Sequence, residues 1–238
     1  ELLPLVKRVD RPEWMSYISE QMSEHPSLTI PPAEVLQPQQ VLTEMNELLQ
    51  ENKETVVVTG VGQHQMWAAQ FLFFNKFNTF ISSGGLGAMG FELPAAMGAQ
   101  ISRPDAPVWT VAGDGGFQMT SQELATIAQE KMPIKIALFN NGHLGMVKQW
   151  QELFFDNHLK EVPIPGPDYV NLALAYGIPA KRVTHQEDVM PALREAQEHK
   201  GPYLIEFVVN PEAHVYPMVP PGGGLADTLE DPLTTSTT

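Results

Sequence analysis

The sequence predicts an α/β protein in which helices cover both faces of a doubly wound, mostly parallel sheet of six strands. Two observations support this class. Apolar, β-branched strand segments alternate with amphipathic helical segments from residue 38 to residue 209, which is the pattern of a parallel sheet with crossover helices. Several strands also end in turns rich in glycine and polar residues, and ligands of such sheets bind beyond the carboxyl ends of the strands.

The elements follow from local patterns. Apolar residues at i, i+3 and i+4 predict the helices, and short β-branched runs predict the strands. The predicted helices cover 11–22, 38–51, 66–74, 91–101, 120–131, 144–155, 168–176 and 187–198. The predicted strands cover 55–59, 79–81, runs starting at 108 and 134, 180–183 and 203–209. Thr120 and Glu123 stand at capping-box spacing, which marks the start of the helix over 120–131.

Three regions are expected along the chain. Residues 1–36 are predicted to lead in from a preceding domain, residues 37–210 to form the main domain, and residues 211–238 to form a partly disordered tail that ends in Thr234–Thr238. The chain begins with Glu1 rather than methionine, so we expect a fragment whose targeting segment, if any, lies upstream.

Composition excludes several classes of function. The formal net charge is −14 with only 14 basic residues, which disfavours nucleic acid and anionic membrane surfaces as partners because both need clustered Lys and Arg. The chain has no cysteine, so disulfides, thiolate chemistry and cysteine metal sites are not available. No apolar run approaches the roughly 18 residues of a membrane span.

The turns after two strands predict a site for a cation and a phosphate. Residues 113–116 (Gly-Asp-Gly-Gly) close one strand and residues 140–143 (Asn-Asn-Gly-His) close the next. A helix joins these strands, so a right-handed crossover places them side by side with both carboxyl ends at one edge. The oxygens of Asp114 and Asn141 suit Mg²⁺, and the glycines let a phosphate approach backbone N–H groups. A metal diphosphate is the predicted ligand.

Other motifs leave alternatives open. The spacing of Gly85-x-Gly87-x-x-Gly90 matches a dinucleotide-binding fingerprint. That fingerprint also needs an acidic residue at the end of the next strand, about 20 positions later, and Asp114 lies later than expected. The glycines therefore either bind a ligand or only permit tight turns. His64 and His143 follow glycine turns and are either functional or structural residues.

Apolar residues near these turns are also ambiguous. For Met66, Trp67, Met89 and Met146, packing in the core is the default explanation. Trp150 lies at i+4 from Met146 and either lines a pocket or anchors its helix. The sequence contains no nucleophile elbow and no Gly-Lys-Ser/Thr phosphate loop, so a bound cofactor is expected to supply the chemistry.

Longer segments resemble a known family. Gly113-Asp114-Gly115 with Asn140-Asn141 resembles the thiamine diphosphate motif. Segments 60–69, 83–91, 117–119, 122–126 and 143–150 are similar to the catalytic subunit of acetohydroxyacid synthase (acetolactate synthase), and the similarity runs from about residue 35 to about 225. The resemblance implies the diphosphate-binding domain of the thiamine diphosphate-binding fold. It also implies a transferase of branched-chain amino acid biosynthesis that decarboxylates pyruvate and condenses the hydroxyethyl carbanion with a second 2-keto acid.

The resemblance implies roles for individual residues. Mg²⁺ would be held by Asp114, Asn141 and the backbone carbonyl of His143. Met89 would bend the cofactor, and Met146 and Trp150 would border the substrate pocket. The full set implied for the cofactor is Val61, Gly62, Gln63, His64, Gly87, Met89, Gly113, Asp114, Gly115, Gly116, Asn141, His143, Leu144, Gly145 and Met146. Two positions depart from the family: Gly142 stands where relatives often carry glutamine, and Pro221 where plant relatives often carry serine.

The resemblance also implies features outside this chain. An activating glutamate is expected in an N-terminal domain and FAD in a middle domain, so the isolated fragment is predicted to be inactive and to contain no certain catalytic residue. Pyruvate and 2-ketobutyrate are the implied substrates, with a homodimer or homotetramer and a regulatory subunit as partners. The implied compartment is the cytoplasm, or a plastid in a eukaryote. The alternatives are another thiamine-dependent carboligase, decarboxylase or pyruvate oxidase relative, or a non-catalytic nucleotide-binding module.

Overall fold

The computed structural model describes residues 3–6, 9–25, 28–30 and 32–232. The chain divides into two compact units, residues 32–215 and residues 1–31 with 216–238. The domain limits predicted from the sequence, at residues 37 and 210, stay a prediction. The disorder predicted for residues 234–238 lies outside the described residues.

The smaller unit has little regular structure among its described residues. Its helix α1 spans Pro12–Glu24, and short 3-10 helices cover Leu3–Leu5 and Leu225–Asp227. An antiparallel bridge joins Met218 to Leu229, and His25 Nδ1 lies 2.5 Å from Glu230 Oε1. No residue of α1 is buried.

The larger unit contains a six-stranded sheet whose strand pairs are all parallel, which confirms the predicted fold class. The strands are β1 Val56–Thr59, β2 Phe80–Ser82, β3 Val108–Gly113, β4 Lys135–Asn140, β5 Ala180–Val183 and β6 Tyr203–Val208. The helices are α2 Pro38–Leu49, α3 Gln63–Phe71, α4 Glu92–Ser102, α5 Asp114–Thr120, α6 Glu123–Gln129, α7 Gly145–Phe154, α8 Tyr169–Ala175 and α9 Val189–Glu198.

The strand order places a topological switch point between β1 and β3. The order across the sheet is β2-β1-β3-β4-β6-β5, so the chain moves outward from β1 to β2 and then crosses back to β3. Right-handed crossovers in opposite directions put α3 and α4 on opposite faces of the sheet. Ligands of doubly wound sheets bind at such a reversal, beyond the carboxyl ends of the strands.

Both faces of the sheet are covered by apolar side chains. Every residue of β1 and β3 is buried, which explains why these strands are continuous apolar runs rather than alternating ones. On one face Leu93, Phe117 and Tyr169 pack against the central strands. Trp109 of β3 is also fully buried, and its indole donates to Gln197 Oε1 at 2.8 Å. No helix among the described residues is long and apolar enough to cross a membrane.

The main error in the sequence-based assignment is a missed helix, since β3 passes directly into α5 at Asp114 where a turn was expected. The helix predicted over 120–131 is present as the shorter α6, which begins only at Glu123. The proposed capping box is absent, since the Thr120 hydroxyl donates to Gly90 O at 3.0 Å instead. The glycines at 115 and 116 suggested a loop, but both lie in the first turn of α5. The other predicted elements are present, with ends that differ by a few residues.

Candidate functional site

A cleft opens at the carboxyl ends of β1, β3 and β4, next to the switch point. All residues predicted from the sequence for the cofactor line this cleft except Gly87, which lies against Val61 instead. The lining that the sequence assignment missed comprises Gln65, Met66, Trp67, Phe139, Val147 and Val209. Three of these follow the turn after β1 directly, so their position in the chain was an available signal. Met66 and Trp67, for which packing was the default explanation, therefore also line the cleft.

Asp114 links the two turns that close β3 and β4. Its side chain is only 3% exposed. Its Oδ1 accepts a hydrogen bond from Gly115 N at 2.9 Å, and its Oδ2 accepts one from Gly142 N at 2.8 Å. Burial raises the pKa of Asp114 to about 6, and the backbone donors oppose that rise. A buried carboxylate at this point is a strong ligand for a cation once its proton has left.

The 140–143 turn is ordered by its own side chains. Asn141 Oδ1 accepts a hydrogen bond from His143 N at 3.1 Å, and His143 Nδ1 lies 2.8 Å from Asn141 O. Across the described residues no three His, Cys, Asp or Glu side chains cluster as a metal site. The predicted set does not need such a cluster, because it combines one carboxylate with an amide and a backbone carbonyl.

A buried chain of amides joins this turn to α3 and α7. Asn141 Nδ2 donates to Gln63 Oε1 at 3.2 Å, and Gln63 Nε2 donates to Gln149 Oε1 and Ala213 O, each at 3.0 Å. Gln149 also pairs with the backbone of Val215 in both directions, at 2.9 Å. A diphosphate contact by the Gln63 side chain would therefore require it to exchange one of these partners. Sequence reasoning missed Gln149, whose partners are far away in the chain.

Two buried ring nitrogens at the cleft have no partner among the described residues. These are His64 Nε2 and Trp67 Nε1. Burial lowers the pKa of His64 to about 4, so the imidazole is neutral at pH 7 and can donate one N–H. Buried polar groups are normally hydrogen-bonded, and an unpaired donor at a cleft indicates a ligand with an acceptor oxygen. The donor set thus fits an anion such as a diphosphate beside the carboxylate of Asp114.

Apolar residues close the cleft near Gly115. A Cβ built on Gly115 would lie 3.0 Å from Leu144 Cδ2 and 3.4 Å from Met89 Cε. Met89 is partly exposed and lines the cleft, so it is not a core residue. The role of Met89 in bending a cofactor stays a prediction.

The two residues predicted for a substrate pocket do not share a cavity. Met146 lines the cleft. Trp150 is 37% exposed and packs edge-on against Phe154, with ring centroids 5.3 Å apart. It lines a separate surface depression with Phe155 and His158. Both alternatives for Trp150 remain open, because it packs against Phe154 of its own helix and also lines this depression, which shares Val147 with the cleft. Its part in a substrate pocket stays a prediction.

Glu92, which the sequence assignment did not single out, lies beneath the turns of the site. The first residue of α4, it is 0% exposed, and a Cβ on Gly60 or Gly116 would overlap its carboxylate oxygens. Neither oxygen accepts a well-formed hydrogen bond from a described residue. Burial raises the pKa of Glu92 to about 7, while the N–H groups of Glu92 and Gly90 oppose the rise. The carboxyl group thus holds a proton below neutral pH.

Replacing Glu92 with glutamine should remove a pH-dependent loss of stability. The folded pKa is above the ordinary value of 4.5, so the folded state keeps a proton that the unfolded state releases, and stability falls as pH rises from about 4.5 to 7. Between pH 5 and pH 8 we expect the free energy of unfolding of Glu92→Gln to rise relative to wild type by on the order of 2 kcal/mol. Urea unfolding at both pH values measures this difference.

The matched control for this substitution is Glu187→Gln, at an exposed position before α9. The rise seen for Glu92→Gln between pH 5 and pH 8 should exceed any change in this control. If Glu92→Gln instead shows a constant difference, Glu92 is ionised in the folded protein at pH 5 and the description of its site is wrong.

Comparison with known proteins places the cleft in a family context. Residues 60–207 match a family described as thiamine pyrophosphate enzyme, C-terminal TPP binding domain. The chain is 43% identical over 235 residues to the acetolactate synthase of Mycobacterium leprae, an alignment that covers 93% of this chain and 37% of that protein.

Two further relatives are also acetolactate synthases. The acetolactate synthase large subunit of Corynebacterium glutamicum is 44% identical over 225 residues, which cover 92% of this chain and 36% of that protein. The chloroplastic acetolactate synthase 1 of Nicotiana tabacum is 42% identical over 233 residues, which cover 94% of this chain and 34% of that protein. The chain therefore spans about a third of the length of these relatives.

Proposed function

Because the chain belongs to the thiamine pyrophosphate enzymes, as a C-terminal TPP binding domain, we propose that it is the diphosphate-binding part of an acetolactate synthase. The reaction would be the decarboxylation of pyruvate and the joining of the remaining two-carbon unit to a second 2-keto acid, either pyruvate or 2-ketobutyrate. The similarity to three acetolactate synthases supports this activity.

One structural observation supports the proposal independently of the family match. The buried Asp114 faces the 140–143 turn, and the unpaired ring nitrogens of His64 and Trp67 border the same cleft. A cation ligand and anion donors therefore lie together, as a metal diphosphate requires. A dinucleotide module has no need of a buried carboxylate beside two asparagines, so this arrangement favours the thiamine cofactor.

The residues of the cleft would hold the cofactor as follows. Asp114, Asn141 and the carbonyl of His143 would hold Mg²⁺, and His64 with the first N–H groups of α5 would hold the diphosphate. Thiamine diphosphate, when bound, supplies an electron sink for breaking and forming carbon–carbon bonds next to a carbonyl. Met89 and Leu144 would exclude water from the wall near Gly115.

The remaining features of the whole protein are part of the same proposal. We infer FAD in another domain, assembly as a homodimer or homotetramer, and a regulatory subunit. An activating glutamate is expected elsewhere in the full-length protein. The proposed compartment is the cytoplasm, or a plastid if the source is a eukaryote.

A product assay tests the proposal. The full-length protein with thiamine diphosphate, Mg²⁺ and pyruvate should form acetolactate, and added 2-ketobutyrate should divert product to acetohydroxybutyrate. Free acetaldehyde as the main product would indicate a decarboxylase, and acetyl phosphate with peroxide would indicate an oxidase. Calorimetric titration with NAD serves as the control, because heat from NAD without any from the thiamine cofactor would favour the nucleotide-binding alternative.

A further inference from the structure

A second buried carboxylate lies beside the strand that carries the Asn140–Asn141 turn. Glu206 is on β6 opposite Leu138 of β4, and it is only 2% exposed. Its two oxygens serve different donors: Oε1 accepts from Asn140 Nδ2 at 2.8 Å, and Oε2 accepts from Arg182 Nε at 2.7 Å. A carboxylate in the middle of a sheet is stable only when such donors compensate its lost hydration.

Asn140 connects this carboxylate to the turn of the site. Its amide faces Glu206 through Nδ2, while its Oδ1 accepts a hydrogen bond from Gly142 N at 3.1 Å. The same N–H of Gly142 donates to Asp114 Oδ2 at 2.8 Å. The amide of Asn140 can have only one orientation here, because Nδ2 faces a carboxylate and Oδ1 faces an N–H.

Arg182 completes the network on the outer side. It is partly exposed and donates to Asp168 Oδ1 at 2.9 Å as well as to Glu206. Asp168 in turn caps α8 by accepting from Asn171 N at 3.1 Å. Hydrogen bonds therefore run across three strands, from the surface at Arg182 to the turn that faces Asp114.

We propose that Glu206 is a positioning residue: by holding Asn140 it fixes the 140–143 turn and thereby the ligands for the cation. The consequence for cation binding rests on the proposed function, whereas the ordering of the turn does not. Glu206 touches neither the cleft nor the proposed ligands, and it acts through Asn140.

Glu206→Gln is the informative substitution. Glutamine has one acceptor oxygen, so it cannot accept from Asn140 and Arg182 with separate oxygens as glutamate does. The charge-assisted bond to Arg182 is the stronger one, and Asn140 is therefore released. In the full-length protein without cofactor we expect amide exchange at Gly142 to become about five- to tenfold faster. The Mg²⁺ concentration for half-maximal thiamine diphosphate binding should rise by up to roughly tenfold, the lower end of the effect known for direct partners of metal ligands, because Glu206 acts one residue further away.

A second substitution should restore the hydrogen bond between residues 140 and 206. In the double variant Asn140→Asp, Glu206→Gln, the new amide donates to one oxygen of the introduced aspartate, and the other oxygen still accepts from Gly142 N. Exchange at Gly142 should become slower than in Glu206→Gln, because the hydrogen bond between residues 140 and 206 is restored, but stay faster than in wild type, because the new carboxylate shares this N–H with Asp114 and the two like charges repel. Asp168→Asn is the matched control, since it changes the outer end of the network and leaves Asn140 and Glu206 paired; exchange at Gly142 should not change.

The outcomes separate this inference from the proposed function. Unchanged exchange at Gly142 in Glu206→Gln overturns the inference, and so does a uniform loss of protection throughout the sheet, which would mean general destabilisation. If wild type binds no thiamine diphosphate with Mg²⁺, the proposed function fails, while the exchange measurements still decide whether Glu206 orders the turn.

Discussion

Replacing Asp114 with asparagine is expected to abolish the Mg²⁺-dependent binding of thiamine diphosphate. The amide keeps the size of the side chain but loses the negative charge, which is the only carboxylate charge in the proposed ligand set. Proteins usually bind Mg²⁺ through one or two carboxylates together with the phosphate groups of a ligand. We expect cofactor affinity in the presence of Mg²⁺ to fall by at least about 100-fold. Titration calorimetry of the full-length protein, with and without Mg²⁺, measures the loss.

The control for Asp114→Asn is the same change at Asp105, which is exposed in the loop before β3. That variant should bind the cofactor like wild type. If both variants retain wild-type affinity, Asp114 is not a metal ligand and the assignment of the cation site is incorrect.

Gly145→Ala is expected to disrupt the contact between α3 and the 140–143 turn. A Cβ at this position would overlap Gln63 Oε1 and lie 2.7 Å from Asn141 Nδ2. Gln63 cannot move aside freely, because it is buried and its amide makes three hydrogen bonds. Since each lost bond costs about 1 kcal/mol, we expect the free energy of unfolding to fall by about 2–3 kcal/mol. Urea denaturation measures this change, and weaker cofactor binding should accompany it.

Gly98 of α4 provides the matched comparison for Gly145. A Cβ there meets no described atom within 4 Å outside its own helix, so alanine should be neutral or stabilising by about 0.5–1 kcal/mol. Equal stability of Gly145→Ala and Gly98→Ala would show that Gln63 accommodates the methyl group and that the amide chain is not rigid.

The sheet could be predicted because its signals are local. The strands β1 and β3 are short apolar runs closed by glycine turns, and alternation with helices leaves few topologies. The prediction failed at 113–123, where Gly115 and Gly116 resemble a loop although they begin α5. Helix propensity is low for glycine, so propensity alone could not identify the first turn of this helix.

The site was predictable only in part, for a related reason. Asp114, Asn141 and His64 stand just after strand ends, in segments whose glycine and polar composition is informative, and the structure brings them to one cleft. Glu92, Gln149 and Glu206 are buried polar residues within regular elements, and their surroundings come from distant parts of the chain; Gln63 and Gln149, for example, are 86 positions apart. Periodicity cannot identify such residues. It indicates which face of a helix or strand is apolar, and not which buried polar group has hydrogen-bond partners.

The direct passage of β3 into α5 also constrains how this protein can change in length. One residue inserted after Gly113 would turn the helix by about 100° relative to the strand, which would carry the Asp114 carboxylate away from the N–H of Gly142. This junction therefore tolerates substitution at most, and neither insertion nor deletion. The irregular connection between α7 and α8, residues 155–168, is restricted near its middle as well, because Val162 O accepts a hydrogen bond from Leu144 N at 2.8 Å and Ile164 N donates to Gly142 O at 2.9 Å. Length variation, and grafted segments in an engineered protein, should therefore be kept away from both places.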